Sequence, residues 1–132
     1  MPDLHNKEFN HFKIHTQYSI CEGAIKIENL KNFCKDKKIS SLGISDTRNL
    51  CGALEFAENI SKAGTQPIIG TQINFKFEDT TGLLPLIALN EQGYKRIIEL
   101  SSRSYLENDA LSEPHLNIKE LFEWSAQWHL LQ

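Results

Sequence analysis

His11 and His15 stand four residues apart near the start of the chain. On a helix that spacing would present a zinc pair. Here Phe12-Lys13-Ile14-His15 alternates apolar and polar residues and reads as a strand. A metal pair on a strand calls for His-x-His, with both rings on one face about 7 Å apart. Lys13 stands where the other histidine belongs, and an ammonium has no lone pair to give and repels a cation. Further polar groups follow later strands or their loops: Glu22, Asp46, Thr47, Arg48 and Gln72. The plainest roles for these groups are structural. His15 would be hydrogen-bonded at a strand end, Asp46 would cap the helix that follows it, Glu22 would be a solvated loop carboxylate, and Glu55 would sit on a helix flank. Lys13 would pair with the Glu22 carboxylate. His5, His115 and His129 read as surface residues, and Trp124 and Trp128 as a shared core face of one helix. No Ser-His-Asp set or glycine-rich phosphate loop emerges. Cys21, Cys34 and Cys51 are odd in number and lack a Cys-x-x-Cys pair, so they read as reduced thiols rather than a zinc knuckle or disulfide framework.

The elements that must position these residues alternate. A short strand at 12–15 precedes a helix whose apolar face carries Ile27, Leu30, Phe33 and Cys34, with Lys31, Lys35 and Lys38 on the wet side. A strand at 41–46 precedes a helix with Leu50, Leu54, Ala57 and Ile60 on one face, and Gly64 and Pro67 stop it. A strand at 67–75, a turn at 78–82 and an apolar strand at 83–89 follow. Asn90 caps a helix that turns Tyr94, Ile97 and Ile98 inward. A loop at 106–116 leads to Asn117-x-x-Glu120, a capping box for a helix with Ile118, Leu121 and Phe122 inward. His129-Leu130-Leu131-Gln132 reads as a strand just starting. Strands alternating with helices predict a mostly parallel sheet. Right-handed crossovers would bring the strand C-termini to one end, where a barrel keeps its function.

The chain has 132 residues, 40% apolar and 23% charged, which suits one globular domain but is short for a closed barrel. The net charge of −3 gives no electrostatic case for autonomous nucleic-acid binding. There is no signal pattern at the start and no apolar run of membrane-spanning length, so a cytoplasmic location is expected, with no membrane partner.

The run His11-Phe12-Lys13-Ile14-His15-Thr16-Gln17-Tyr18-Ser19, with Glu22-Gly23-Ala24-Ile25-Lys26, resembles the opening of the PHP domain (polymerase and histidinol phosphatase domain). Gly43 to Phe56, Lys62 to Gly70 and Asn90 to Tyr94 extend the likeness in the same order. It is closest to the version at the N-terminus of bacterial replicative DNA polymerase III alpha subunits. It covers residues 9–104 well and 117–132 loosely.

The resemblance implies a distorted barrel of seven βα units, here partial. Metal-binding members hold a small metal cluster at the strand C-termini for phosphoester hydrolysis, since adjacent cations activate water and neutralise phosphate charge. Carried over residue by residue, the ligand set thins out. His-x-His becomes Lys13-x-His15, the following acid is kept as Glu22, and Asp-His becomes Asp46-Thr47. The glutamate after the third strand becomes Gln72, the histidine at the start of the fourth becomes Leu83, and the final Asp-x-His pair would lie past Gln132. With His15 and Glu22 the only ligand types retained in kind, no metal, catalytic residue or cofactor is expected.

Residues 1–10 are expected to be a lead-in segment, and 11–132 a PHP domain incomplete at its C-terminus, with the stop at Gln132 marking a fragment or truncated product. The implied role is structural: the PHP portion of a replicative polymerase, bracing the rest of the alpha subunit and docking a proofreading exonuclease subunit. DNA would be met only through the parent polymerase, whose magnesium and nucleotidyl transfer belong to a palm region not seen here. The rival expectations are a stand-alone phosphoesterase of the histidinol-phosphatase kind and a non-functional gene fragment. An open sheet edge would favour self-association.

Overall fold

A computed structural model describes residues 9–129 of the chain. Its elements run α1 (Ile27–Lys37), β1 (Ser41–Thr47), α2 (Ala53–Lys62), β2 (Gln66–Phe77), β3 (Thr80–Ile87), α3 (Glu91–Leu106), β4 (Leu116–Asn117) and α4 (Ile118–His129). β2 is the hub. It pairs in parallel with β1 from Ser41↔Gln66 to Thr47↔Gln72, and with β4 at Phe75↔Leu116. Its other edge pairs with β3 in antiparallel fashion, from Gly70↔Ile87 to Phe77↔Thr80.

Two features correct the expectation of parallel strands ending together. β3 runs backward, because Glu78, left-handed at φ 52°, and Asp79 are too short a link for a parallel crossover. The start of β3 therefore lies at the same end of the sheet as the C-termini of β1 and β2. The segment expected as a first strand forms only an isolated bridge, Ile14↔Ile44. Gly43 N donates to His11 O and Ser45 N to Ile14 O, so three steps of this segment span two of β1, and the bulge breaks the ladder. Among the described residues the sheet is mixed, with parallel pairs in the majority, and does not close into seven βα units.

The core lies on one face of the sheet. Leu42 and Ile44 pack with Ile27, Leu30 and Cys34 of α1 and with Phe56 and Ile60 of α2. Ile73 and Phe75 pack with Leu100 of α3 and Leu116, joined by Ile118 and Leu121 of α4. Each fully buried side chain of this kind contributes about 1.5–3 kcal/mol. Strand alternation turns Gly43, Ser45, Thr47, Gly70, Gln72 and Asn74 to the opposite face.

The buried stripes are narrower than the periodicity predicts. α2 buries Ala53, Phe56 and Ile60 and leaves Leu54 exposed; α3 buries Ile97, Leu100 and Ser104 and leaves Ile98 exposed. Phe33 and Phe122 also face out. The expected caps are present. Asn90 Oδ1 accepts from Gly93 N at 2.8 Å, Asn117 N donates to Glu120 Oε1 at 3.2 Å, and Gly64 takes φ 82° just past α2. His129 closes α4 rather than opening a strand. The rest of that expected strand, 130–132, lies outside the described residues, as does His5.

Candidate functional site

Asp46 sits near the end of β1 and is 1% exposed. It does not cap α2, whose N-cap is Gly52 and carries no side-chain cap. Its carboxylate instead holds the turn at 16–19. Oδ1 accepts from Thr16 N at 2.6 Å and Ser19 Oγ at 2.7 Å, and Oδ2 accepts from Thr16 Oγ1 at 2.7 Å. Ser19 Oγ in turn accepts from Thr47 N at 3.0 Å, and Thr71 Oγ1 donates to Asp46 O at 2.7 Å. Three donors from one turn make a tight charge-assisted clamp. It fastens the loop after the first motif onto β1.

Gly23 completes that fit, because a Cβ there would lie 2.0 Å from Thr16 O.

A second constellation joins positions that the resemblance assigns to metal. Gln72 Nε2 donates to Thr47 Oγ1 at 3.2 Å, and Thr47 Oγ1 donates to Glu22 Oε2 at 2.5 Å. An amide, a hydroxyl and a carboxylate thus form a directional relay across β2, β1 and the loop. Thr47 and Gln72 are register partners, so the strand pairing itself brings them together. Glu22 is taken by Thr47 and not by Lys13. Lys13 is exposed and has no ion pair among the described residues, which corrects the expected Lys13–Glu22 pairing.

His15 is half-buried, and its Nδ1 is buried without a hydrogen-bond partner; so is Ser45 Oγ. His15 is therefore not the hydrogen-bonded histidine that its place at a strand end predicts. Leu83 does not open β3, which starts at Thr80; it lies inside the strand opposite Asn74 and is 40% exposed. Glu55 accepts from Tyr18 Oη at 2.6 Å, which raises the Tyr18 phenol above its ordinary pKa.

Next to the relay, the loop after α3 is strapped over the strand ends. Arg48, left-handed at φ 61°, pairs with Glu113, and its carbonyl accepts from Tyr105 Oη at 2.7 Å. Asn74 Nδ2 donates to Pro114 O at 3.1 Å, and Asn108 Nδ2 to His115 O at 2.7 Å. Of these residues the sequence singled out Arg48. Thr16, Ser19, Asn74, Tyr105 and Asn108 carried no signal beyond being polar.

These donor sets do not fit a metal cluster. Asp46 has both oxygens filled, Glu22 is held by a hydroxyl, Gln72 turns its amide nitrogen to Thr47, and Lys13 brings a positive charge. Among the described residues no group of three or more His, Cys, Asp or Glu side chains is placed to hold an ion. A cleft of about 310 Å³ lined by Phe12, Gln66, Ile68, Ile87, Ala88 and Leu89 lies at the other end of the sheet. No helix among the described residues is long and apolar enough to cross a membrane.

Comparison with known proteins agrees with this architecture. A family profile described as "PHP domain" matches residues 11–131. The chain is 36% identical over 118 residues to the DNA polymerase III subunit alpha of Rickettsia felis, covering 89% of this chain and 10% of that protein. It is 35% identical over 128 residues to the same subunit of Helicobacter pylori, covering 91% and 10%. The chain thus spans about a tenth of the length of these curated relatives. A crystal structure described as a metal-dependent phosphoesterase of Bifidobacterium adolescentis superposes with a TM-score of 0.52 at 18% identity, covering 72% of this chain and 34% of that one. That likeness is one of fold.

Proposed function

The chain belongs to the PHP domain family, and from that premise we propose that it serves as the PHP portion of a replicative DNA polymerase alpha subunit in the cytoplasm, acting as a scaffold without metal chemistry. The observation that carries this is the Gln72–Thr47–Glu22 relay. It uses the polar atoms of three ligand positions on one another, where a hydrolytic site would leave them open to cations and water. The Asp46 clamp supports the same reading, since a carboxylate with both oxygens occupied fixes a loop. The domain would brace the rest of the alpha subunit and dock a proofreading exonuclease subunit. Templated nucleotidyl transfer, with its magnesium, would belong to other parts of the parent protein.

Metal analysis of the purified chain, paired with a phosphatase assay on a generic phosphomonoester, tests this reading. The expected result is substoichiometric zinc, manganese and iron with no turnover. Stoichiometric metal together with hydrolysis would overturn it in favour of a stand-alone phosphoesterase.

A further inference from the structure

β3 has one edge against β2, and no element among the described residues pairs with the other. Every residue of Thr80–Ile87 except Leu86 is exposed, with Leu83 at 40%, Leu84 at 36% and Ile87 at 39%. The opposite edge of the sheet is treated differently. There Gly43 N donates to His11 O and Ser45 N to Ile14 O, so the segment at 11–14 covers β1.

The hydrogen-bond phase of β3 fixes which of its groups point outward. Ile87 is the register partner of Gly70, and Ala88 N donates to Ile69 O at 2.9 Å. Bonded pairs alternate along an antiparallel ladder, so Leu84, Leu86 and Ala88 bond inward to β2. Thr81, Leu83, Pro85 and Ile87 turn their backbone groups to the free edge. Pro85 agrees with this phase, because its missing N–H falls where no bond to β2 is lost. Edge strands are ordinarily guarded by charges, bulges or cover. Between Thr80 and Asn90 there is no Asp, Glu, Lys or Arg, and the pairing with β2 runs without a bulge. Of the usual guards β3 carries Pro85.

We propose that β3 pairs with the β3 of a second copy of this chain, antiparallel, about a two-fold axis at Leu84. In that register Thr81 exchanges both backbone bonds with Ile87 of the second copy. Leu83 N donates to Pro85 O of the second copy, so each proline forfeits one bond and keeps its carbonyl paired. The side chains are complementary too. The two Leu84 side chains meet at the axis, and Leu86 lies across from Gly82 of the second copy, where a Cβ would meet nothing within 4 Å. A register centred on Gly82 would instead set Pro85 against the charged Asp79 of the turn. A strand of other composition would have to bury its charges against Leu83, Leu84 and Ile87, whereas a second copy brings none. The pairing uses up the free edge, so it closes as a dimer. It involves none of the relay residues and does not depend on whether that site holds metal.

The test is sedimentation velocity of the full chain from about 1 to 500 µM. A monomer–dimer equilibrium is expected, with Kd on the order of 10 µM for so small an interface. Leu84→Lys or Leu84→Glu alone sets like charges together at the axis and should weaken the dimer roughly tenfold. An equimolar mixture of the two variants should restore it, because opposite charges then meet. Thr81→Pro removes a donor from the free edge without touching the β2 ladder and should also weaken the dimer. Leu54→Lys, on the exposed side of α2, should leave it unchanged, with circular dichroism checking that each variant folds. A monomer at every concentration would overturn the proposal and leave the edge to a strand of another protein. So would growth past the dimer, a Leu84→Lys dimer as tight as the wild type, or a mixture that fails to regain association.

Discussion

Replacing Asp46 by alanine removes the acceptor for Thr16 N, Thr16 Oγ1 and Ser19 Oγ in one step. The two hydroxyls can rotate toward other acceptors, but the Thr16 peptide N–H is fixed by the backbone. Thr16 and Ser19 are both fully buried, so water does not reach the freed donors. A buried donor left unpaired costs about 1–3 kcal/mol, so with partial rescue of the hydroxyls the loss should be about 3–5 kcal/mol. That is a large part of the 5–15 kcal/mol typical of a domain. Asp46→Asn keeps one acceptor oxygen but turns an amide toward a hydroxyl, and should lose about half as much. Urea unfolding at neutral pH reads both values from the shift in midpoint at constant slope. Hydrogen exchange should show the 16–23 segment opening first. A loss below about 1 kcal/mol in Asp46→Ala would refute the clamp. Stabilisation of the wild type by manganese that disappears in Asp46→Asn would refute it differently, by making Asp46 a ligand.

Lys38 holds the left-handed position after α1 at φ 52°, where glycine carries no steric penalty, so Lys38→Gly should stabilise the chain by about 1 kcal/mol in the same unfolding assay. The Tyr18 phenol, raised by its hydrogen bond to the Glu55 carboxylate, should ionise at higher pH than a free tyrosine in an ultraviolet titration, and Glu55→Gln should bring it back toward the ordinary value. Burial raises the Cys34 thiol pKa and shields it, so a thiol reagent at pH 8 should label exposed Cys21 and Cys51 well before Cys34.

The four helices and the strands β1 to β3 were legible because they announce themselves by period and by their caps, as at Asn90 and Asn117, whereas the strand expected at 12–15 forms only a bridge and the two-residue β4 was read as the end of a loop. The direction of β3 was not, since an apolar run such as Leu83 to Leu89 reads the same in either sense and only the shortness of the Glu78–Asp79 link decides it. The helix faces were legible at their centres and failed at their margins. Phe33, Leu54, Ile98 and Phe122 lie at the borders of stripes whose width depends on what packs against them. At the candidate site, the resemblance picked out Glu22, Asp46, Thr47 and Gln72, and the fold brings Glu22, Thr47 and Gln72 into one chain of hydrogen bonds. What each residue bonds to could not be read, because Asp46 answers to Thr16 and Ser19 across 30 and 27 positions of sequence. Local rules see a helix cap there, and tertiary contacts override it.

The relay also bears on how such a site accommodates substitution. Its three members depend on one another: Gln72→Glu alone would set a second carboxylate against Glu22 with only the single proton of the Thr47 hydroxyl between them. Thr47→His alone would remove the hydroxyl that Glu22 and Gln72 share. Each single step back toward a ligand set disrupts a working contact before any cation can compensate. The three positions are therefore coupled physically, and a substitution at one is expected to cost less when its partners change with it.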